Sequence, residues 1–184
     1  MEAADFELLH QRLKPGFRPN ADEHYITLTT HNNQADWINH QQLQKIPAPV
    51  LSYKAKIESD FPENTYPADD VLQLKEGAQV MFLKNDVAEK KYFNGKIGIV
   101  KQLSESTIIV ECDVGDITVR KEVWENIRYT LNRATGQLEE EMLGSFEQYP
   151  LRLAWAVTIH KSQGLTFEKV MIDAAAAFSS GQVY

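Results

Sequence analysis

Thr158-Ile159-His160-Lys161-Ser162-Gln163-Gly164-Leu165-Thr166 gathers hydroxyls, an imidazole, an ammonium and a glycine into one short segment. It ends the apolar-rich run Leu151–Ile159, and Val170-Met171-Ile172-Asp173 follows as a strand of buried type. A polar loop between two such runs is the pattern of an α/β layer. Threonine and serine donate hydroxyl hydrogens, lysine supplies a point charge, and glycine admits an anion close to the backbone. On residue types alone the segment is a candidate for holding phosphate. The competing reading is a polar helix start, with His160 a solvated or hydrogen-bonded side chain.

Outward from this segment, the α/β pattern has a second part near the start of the chain. Tyr25-Ile26-Thr27-Leu28-Thr29-Thr30 is dense in β-branched residues and reads as a buried strand. His31-Asn32-Asn33 is expected to turn the chain, and Gln34–Leu43 to form a helix with Ala35, Ile38 and Leu43 near one face. Prolines at 47, 49, 62 and 67 mark an irregular connection carrying a short strand near Val50–Ala55. From Val71 the pattern changes to short strands at Gln79–Leu83, Lys96–Gln102, Thr107–Cys112 and Asp116–Lys121, the signature of a small antiparallel barrel. A further hairpin is expected from Trp124–Leu131 and Gln137–Phe146, turning at Asn132–Gly136, with Glu139-Glu140-Glu141 on a solvated edge. Before all of this, Phe6–Leu13 has helical apolar spacing and stops at Pro15-Gly16. A start methionine lying almost on that helix implies a boundary inside a longer protein.

The 184 residues carry a net charge of −7, with 43% apolar and 24% charged residues. That composition belongs to folded chains with a real core, and mild acidity argues against a general polyanion binder. No apolar run approaches the roughly 18 residues of a membrane span, and the N-terminus lacks the features of a signal peptide, so an intracellular protein without a membrane partner is expected. The single cysteine, Cys112, excludes an intrachain disulfide and reads as a buried strand thiol. The histidines have neither the i,i+4 pairing nor the neighbouring carboxylates of a metal site, so no metal role is indicated. Lys84, Lys90, Lys91, Lys96 and Lys101 face only Asp86 and Glu89 in the local sequence, with Tyr92 and Phe93 between them. A tight turn at Asn94-Gly95, with positive φ at the glycine, is expected to present Lys90, Lys91 and Lys96 together as a basic patch. The alternative is that Tyr92 and Phe93 simply cover the end of the barrel.

The segment Thr158–Thr166 resembles motif V of superfamily 1 helicases, in the form found in the Pif-type and RecD-like 5′→3′ branch. Leu28-Thr29-Thr30-His31-Asn32 resembles that family's motif IV region. Val80–Asn85 and Tyr92–Val100 resemble its inserted Src-homology-3-type barrel, and Phe178–Tyr184 the opening of its motif VI. The resemblance implies a RecA-like (P-loop NTPase type) parallel-sheet domain interrupted by a small antiparallel β-barrel. The expected division is a helix over 1–22 leading in from an upstream motor domain, a discontinuous second RecA-like domain over 23–72 and 147–184, and the barrel over 73–146.

No Gly-x-x-x-x-Gly-Lys-Ser/Thr loop occurs in the sequence. The resemblance therefore implies part of an ATP-dependent DNA helicase, inactive alone, with ATP and Mg²⁺ bound mainly by the missing N-terminal RecA-like domain, its expected partner. By the same resemblance Thr30, His31, Asn32, Thr158, His160, Lys161 and Ser162 contact single-stranded DNA, RNA not being excluded, while Gln163 and Gly164 lie nearer the ATP cleft. A cytoplasmic or nucleoid location, in DNA replication or repair, follows from the family and not from the residues. The other readings are a stand-alone nucleic-acid-binding module and a protein-interaction barrel.

Overall fold

The computed structural model describes residues 3–20, 23–131 and 136–173. In chain order its elements are α1 (Ala3–Arg12), β1 (Ile26–Thr29), α2 (Asn32–Lys45), β2 (Leu51–Lys54), β3 (Lys56–Ser59), β4 (Val71–Leu74), β5 (Gln79–Phe82), β6 (Ile97–Leu103), β7 (Ile108–Cys112), β8 (Gly115–Val119), β9 (Glu122–Leu131), β10 (Leu138–Gln148), β11 (Leu151–Leu153), β12 (Ala156–Thr158) and β13 (Val170–Ile172). The expected turn at 132–136 lies largely outside the described residues, and so does Phe178–Tyr184.

Three parallel strands form one sheet in the order β12-β1-β13. Its centre is β1, whose β-branched residues are covered on both sides. The expected buried strand at Val170–Asp173 is instead a half-exposed edge, because only β1 pairs with it among the described residues. The turn expected at His31-Asn32-Asn33 is absorbed into α2. His31 takes an extended N-cap conformation (φ −125, ψ 139), and the Ala35 N–H donates to the His31 carbonyl at 3.2 Å. The inward face of α2 is Ala35, Asn39 and Leu43.

Five antiparallel strands in the order β11-β5-β6-β7-β8 form the barrel sheet. Every residue of β5 is buried. The hairpin of β2 and β4 closes over it, sending Tyr53, Leu72 and Leu74 into the same core as Val80, Phe82 and Val110. Thus the 51–74 segment packs with the barrel. Buried amides hold the closure, since Gln148 Nε2 donates to the carbonyls of Tyr53 (2.9 Å) and Asp69 (3.2 Å), while its Oε1 accepts from the Tyr149 N–H (2.9 Å). The long β9–β10 ribbon pairs with β3 and keeps Glu139, Glu140 and Glu141 exposed.

The run Leu151–Ile159, read from sequence as entering the α/β layer, is divided between the two sheets. Leu151–Leu153 pairs with β5, and Ala156–Thr158 pairs with β1. The joint is at Ala154, where Gln79 and Ala154 exchange two bonds: the Ala154 N–H donates to the Gln79 carbonyl (3.0 Å) and Gln79 Nε2 donates to the Ala154 carbonyl (2.9 Å). Among the described residues no helix is long and apolar enough to cross a membrane.

Candidate nucleic-acid interface

The parallel register Leu28↔Val157 and Thr29↔Thr158 makes β1 and β12 end side by side. The Ile159 N–H extends the ladder by donating to the Thr29 carbonyl at 2.9 Å. The two candidate segments, 130 residues apart in sequence, therefore leave the sheet together at its carboxyl edge, the edge at which open α/β sheets bind ligands. After β12 the chain makes successive turns and no helix, contrary to the helix-start reading. The Ser162 N–H donates to the carbonyls of Thr158 (3.0 Å) and Ile159 (3.2 Å), and the Leu165 N–H donates to the Ser162 carbonyl (3.0 Å). Gly164, with φ +78, completes the reversal.

The expected contact residues divide by exposure. His31, Asn32, His160 and Lys161 are exposed, Ser162 is half-buried, and Thr30 and Thr158 are buried. Thr30 Oγ1 lies 2.7 Å from His31 Nδ1, so it orients the imidazole from below. The Ser162 hydroxyl donates its proton to the Ile159 carbonyl at 2.8 Å, which shapes the turn and leaves only lone pairs facing outward. Gln163 and Gly164 are exposed on the same turn. Beside these groups lies the N-terminus of α2, which has no side-chain cap and no acidic residue in its first turn. Its partial positive charge favours an anion in front of it.

A small cavity between α2 and β12 is lined in part by Asn32, Asp36, Asn39, Arg152, Thr158 and Lys161. Burial first, and the Arg152 guanidinium second, hold the Lys161 ammonium below the ordinary lysine range, against the opposite pull of Asp36 and Asp69. Asn39 fixes the strand behind it, its Nδ2 donating to the Ala156 carbonyl and its Oδ1 accepting from the Ala156 N–H, both at 2.9 Å. Neither Asn39 nor Arg152 stands out in the sequence. A polar residue on the inward side of α2, and a lone cation inside Leu151-Arg152-Leu153, are the signals they leave.

The segment's last apolar residue ties it to the barrel. Leu165 joins the cluster of Ile26, Met81, Ala154 and Val157, and it lies against the turn at Gly95. That turn has the expected positive φ, +97 at Gly95, and a Cβ there would sit 3.0 Å from Leu165 Cδ2.

The basic patch expected at the turn does not form as read. Lys96 is only 8% exposed, paired with Asp113, and its ammonium lies 5.4 Å over the Phe93 ring. Lys91 pairs with Glu89, Lys84 with Glu122 (3.0 Å) and Lys101 with Asp116 (2.8 Å). Three of these partners, Asp113, Glu122 and Asp116, are distant in the chain, where local charge counting does not look. Lys90 and Lys91 stay exposed on a loop organised by Asp86, which accepts backbone N–H bonds from Ala88, Glu89 and Lys91 and is held below the usual carboxylate range chiefly by them. Tyr92 stacks on Phe82 at 4.1 Å between centroids, so its ring belongs to the barrel. Burial pushes the half-buried Cys112 thiol up to about 11, leaving it a poor nucleophile.

Among the described residues no group of three or more histidine, cysteine or carboxylate side chains could hold a metal ion.

No protein-family model matches the chain. It is 34% identical to the human ATP-dependent DNA helicase PIF1 over 85% of its own length and 24% of the relative's. It is 28% identical to ATP-dependent DNA helicase Pif1 of Campylobacter jejuni over 90% of its length and 40% of the relative's. The chain thus spans less than half the length of these curated relatives. A structure of unliganded Pif1 from Bacteroides sp. superposes over the whole chain and 42% of its own, with a TM-score of 0.89 and 38% identity. The Bacteroides Pif1 crystal structure bound to single-stranded DNA superposes over the same extents with a TM-score of 0.75.

Proposed function

Because the chain belongs to the Pif1-type branch of superfamily 1 helicases over the part of those proteins it spans, we propose that it forms the second RecA-like motor domain, with its inserted barrel, of an ATP-dependent DNA helicase. In this reading the motor domain, expected over 23–72 and 147–184, is represented by α2 and the sheet of β1, β12 and β13, while β2, β4 and β11 go with the barrel expected over 73–146. The full-length protein grips single-stranded DNA and couples ATP-driven closure of two motor domains to 5′→3′ translocation inside the cell. The observation that carries this reading is the meeting of Thr30-His31-Asn32 with Thr158–Gln163 at the carboxyl ends of adjacent parallel strands.

The chemistry required there is reversible grip. Phosphate must be held firmly enough to be pulled and released within each step, which suits neutral donors better than a ring of unpaired cations. Exposed His31, Asn32 and His160 together with the α2 N-terminus supply such donors, and Lys161 adds one charge. Thr30 and Thr158, being buried, shape the edge from beneath. Gln163 and Gly164, at the outer part of the same turn, face the nucleotide held mainly by the other motor domain. ATP with Mg²⁺, once bound in the full-length protein, would supply the phosphoryl-transfer chemistry; this chain's contribution is to hold the strand and to follow the cleft as it closes.

The test uses the full-length helicase. Gln163→Ala should depress ATP turnover more than strand affinity, measured by coupled phosphate release and by fluorescence anisotropy with an oligothymidylate. Equal losses in both would remove Gln163 from the cleft.

A further inference from the structure

We propose that Arg152, reaching in from the barrel sheet, is a second cationic ligand for a phosphodiester of the bound strand, acting beside Lys161 at the mouth of the cavity between α2 and β12. The inference rests on the reading of this edge as the strand-binding site and adds a residue from the barrel sheet to it. Arg152 lies on β11, opposite Met81 of β5, yet it lines the same cavity as Asn32, Thr158 and Lys161. Its side chain is only 19% exposed, and its one ion pair among the described residues, to Asp69, is 3.9 Å long, beyond hydrogen-bond reach.

A guanidinium carries five N–H donors in a planar fork, and a largely buried one normally spends them on an acceptor. Here no side-chain hydrogen bond from Arg152 is formed among the described residues, and the neighbour across the cavity is another cation. Lys161 is exposed, so the pair of cations opens to solvent at the mouth; Arg152, second to burial, lowers the Lys161 value, and Asp36 and Asp69 act in the opposite direction. A phosphate oxygen pair at the mouth satisfies the fork of Arg152 bidentately and the ammonium of Lys161 at once. The cavity, about 10 Å³, holds no more than a water, so the phosphate sits at its mouth beside the α2 N-terminus.

The test measures binding of a fluorescent oligothymidylate to the 184-residue chain across a potassium chloride series, with thermal melting of every variant. Arg152→Gln should weaken binding roughly tenfold at low salt and lower the slope of log affinity against log salt by about 0.7, the value for one single-strand phosphate contact. Arg152→Lys should keep the slope and lose part of the affinity, because the charge stays and the fork is lost. Asp69→Asn removes the ion-pair partner Arg152 has among the described residues and should leave the slope unchanged. An unchanged slope for folded Arg152→Gln, with Lys161→Gln reducing it, overturns the inference and leaves the strand reading standing. Wild-type binding that does not depend on salt overturns both. Displacement of the oligonucleotide by millimolar inorganic phosphate at constant ionic strength, abolished by Arg152→Gln, would reassign the pair to a free phosphate anion and overturn the strand assignment.

Discussion

Replacing Asn39 by alanine tests how the strand that carries the candidate interface is held. Asn39 is 7% exposed, and its side chain forms a closed pair of hydrogen bonds with both backbone groups of Ala156, itself 1% exposed. It stands where a neighbouring strand would otherwise pair with β12, which is an edge of the described sheet. Truncation leaves one buried N–H and one buried carbonyl unpaired, at about 1–3 kcal/mol each. Alanine's better helix propensity returns roughly 0.5 kcal/mol, so a net loss of about 1.5–5.5 kcal/mol is expected. For a chain of this size each kcal/mol lowers Tm by about 2–4 °C, so the fall should be on the order of 3–20 °C. Urea unfolding followed by circular dichroism measures the free energy directly. Asn39→Asp sharpens the test, since a carboxylate can accept from the Ala156 N–H but repels its carbonyl. Burial raises the folded-state value of that acid, so part of the loss should begin to return above the ordinary carboxylate range as pH falls, and the charge penalty should be gone below about pH 4. An unfolding midpoint for Asn39→Ala indistinguishable from wild type would mean that water replaces the amide without cost, and that Asn39 does not hold β12.

Gly95→Val should lower stability by at least about 2 kcal/mol, because a β-branched residue resists a positive φ and its Cβ would crowd Leu165; an unchanged melting temperature would refute the account of that turn. Lys161→Met should raise Tm at neutral pH. The sign follows from the depressed folded-state value: the unfolded lysine binds its proton more tightly, so the penalty is fully present below the folded value and fades as pH rises toward the ordinary 10.5. The Tm advantage of the methionine variant should therefore shrink between neutral and strongly alkaline pH, and an advantage independent of pH would assign the effect to packing.

What could be read from the sequence alone was what neighbours in the chain decide. The strand at 26–29 follows from consecutive β-branched residues, and the barrel strands from their spacing and from turn residues such as Asn94-Gly95, whose positive φ is a local demand. Thr158–Thr166 could be singled out as a candidate phosphate-holding segment because its residue types are contiguous. The tertiary structure decided everything that depends on partners distant in the chain. Asn39 meets Ala156 across 117 residues, so an amide that breaks the apolar face of α2 is the link that completes an edge strand. Lys96 finds Asp113 in the turn between β7 and β8, which withdraws it from the basic patch that local charge counting implies. Arg152 reads as a cation stranded in an apolar strand until the chain crosses at Ala154 from the barrel sheet to the parallel sheet, bringing its guanidinium beside Lys161. Periodicity reports which face of an element avoids water; which polar groups satisfy one another there is fixed only when the sheets pack, because a hydrogen bond or an ion pair depends on distance in space and not on separation along the chain.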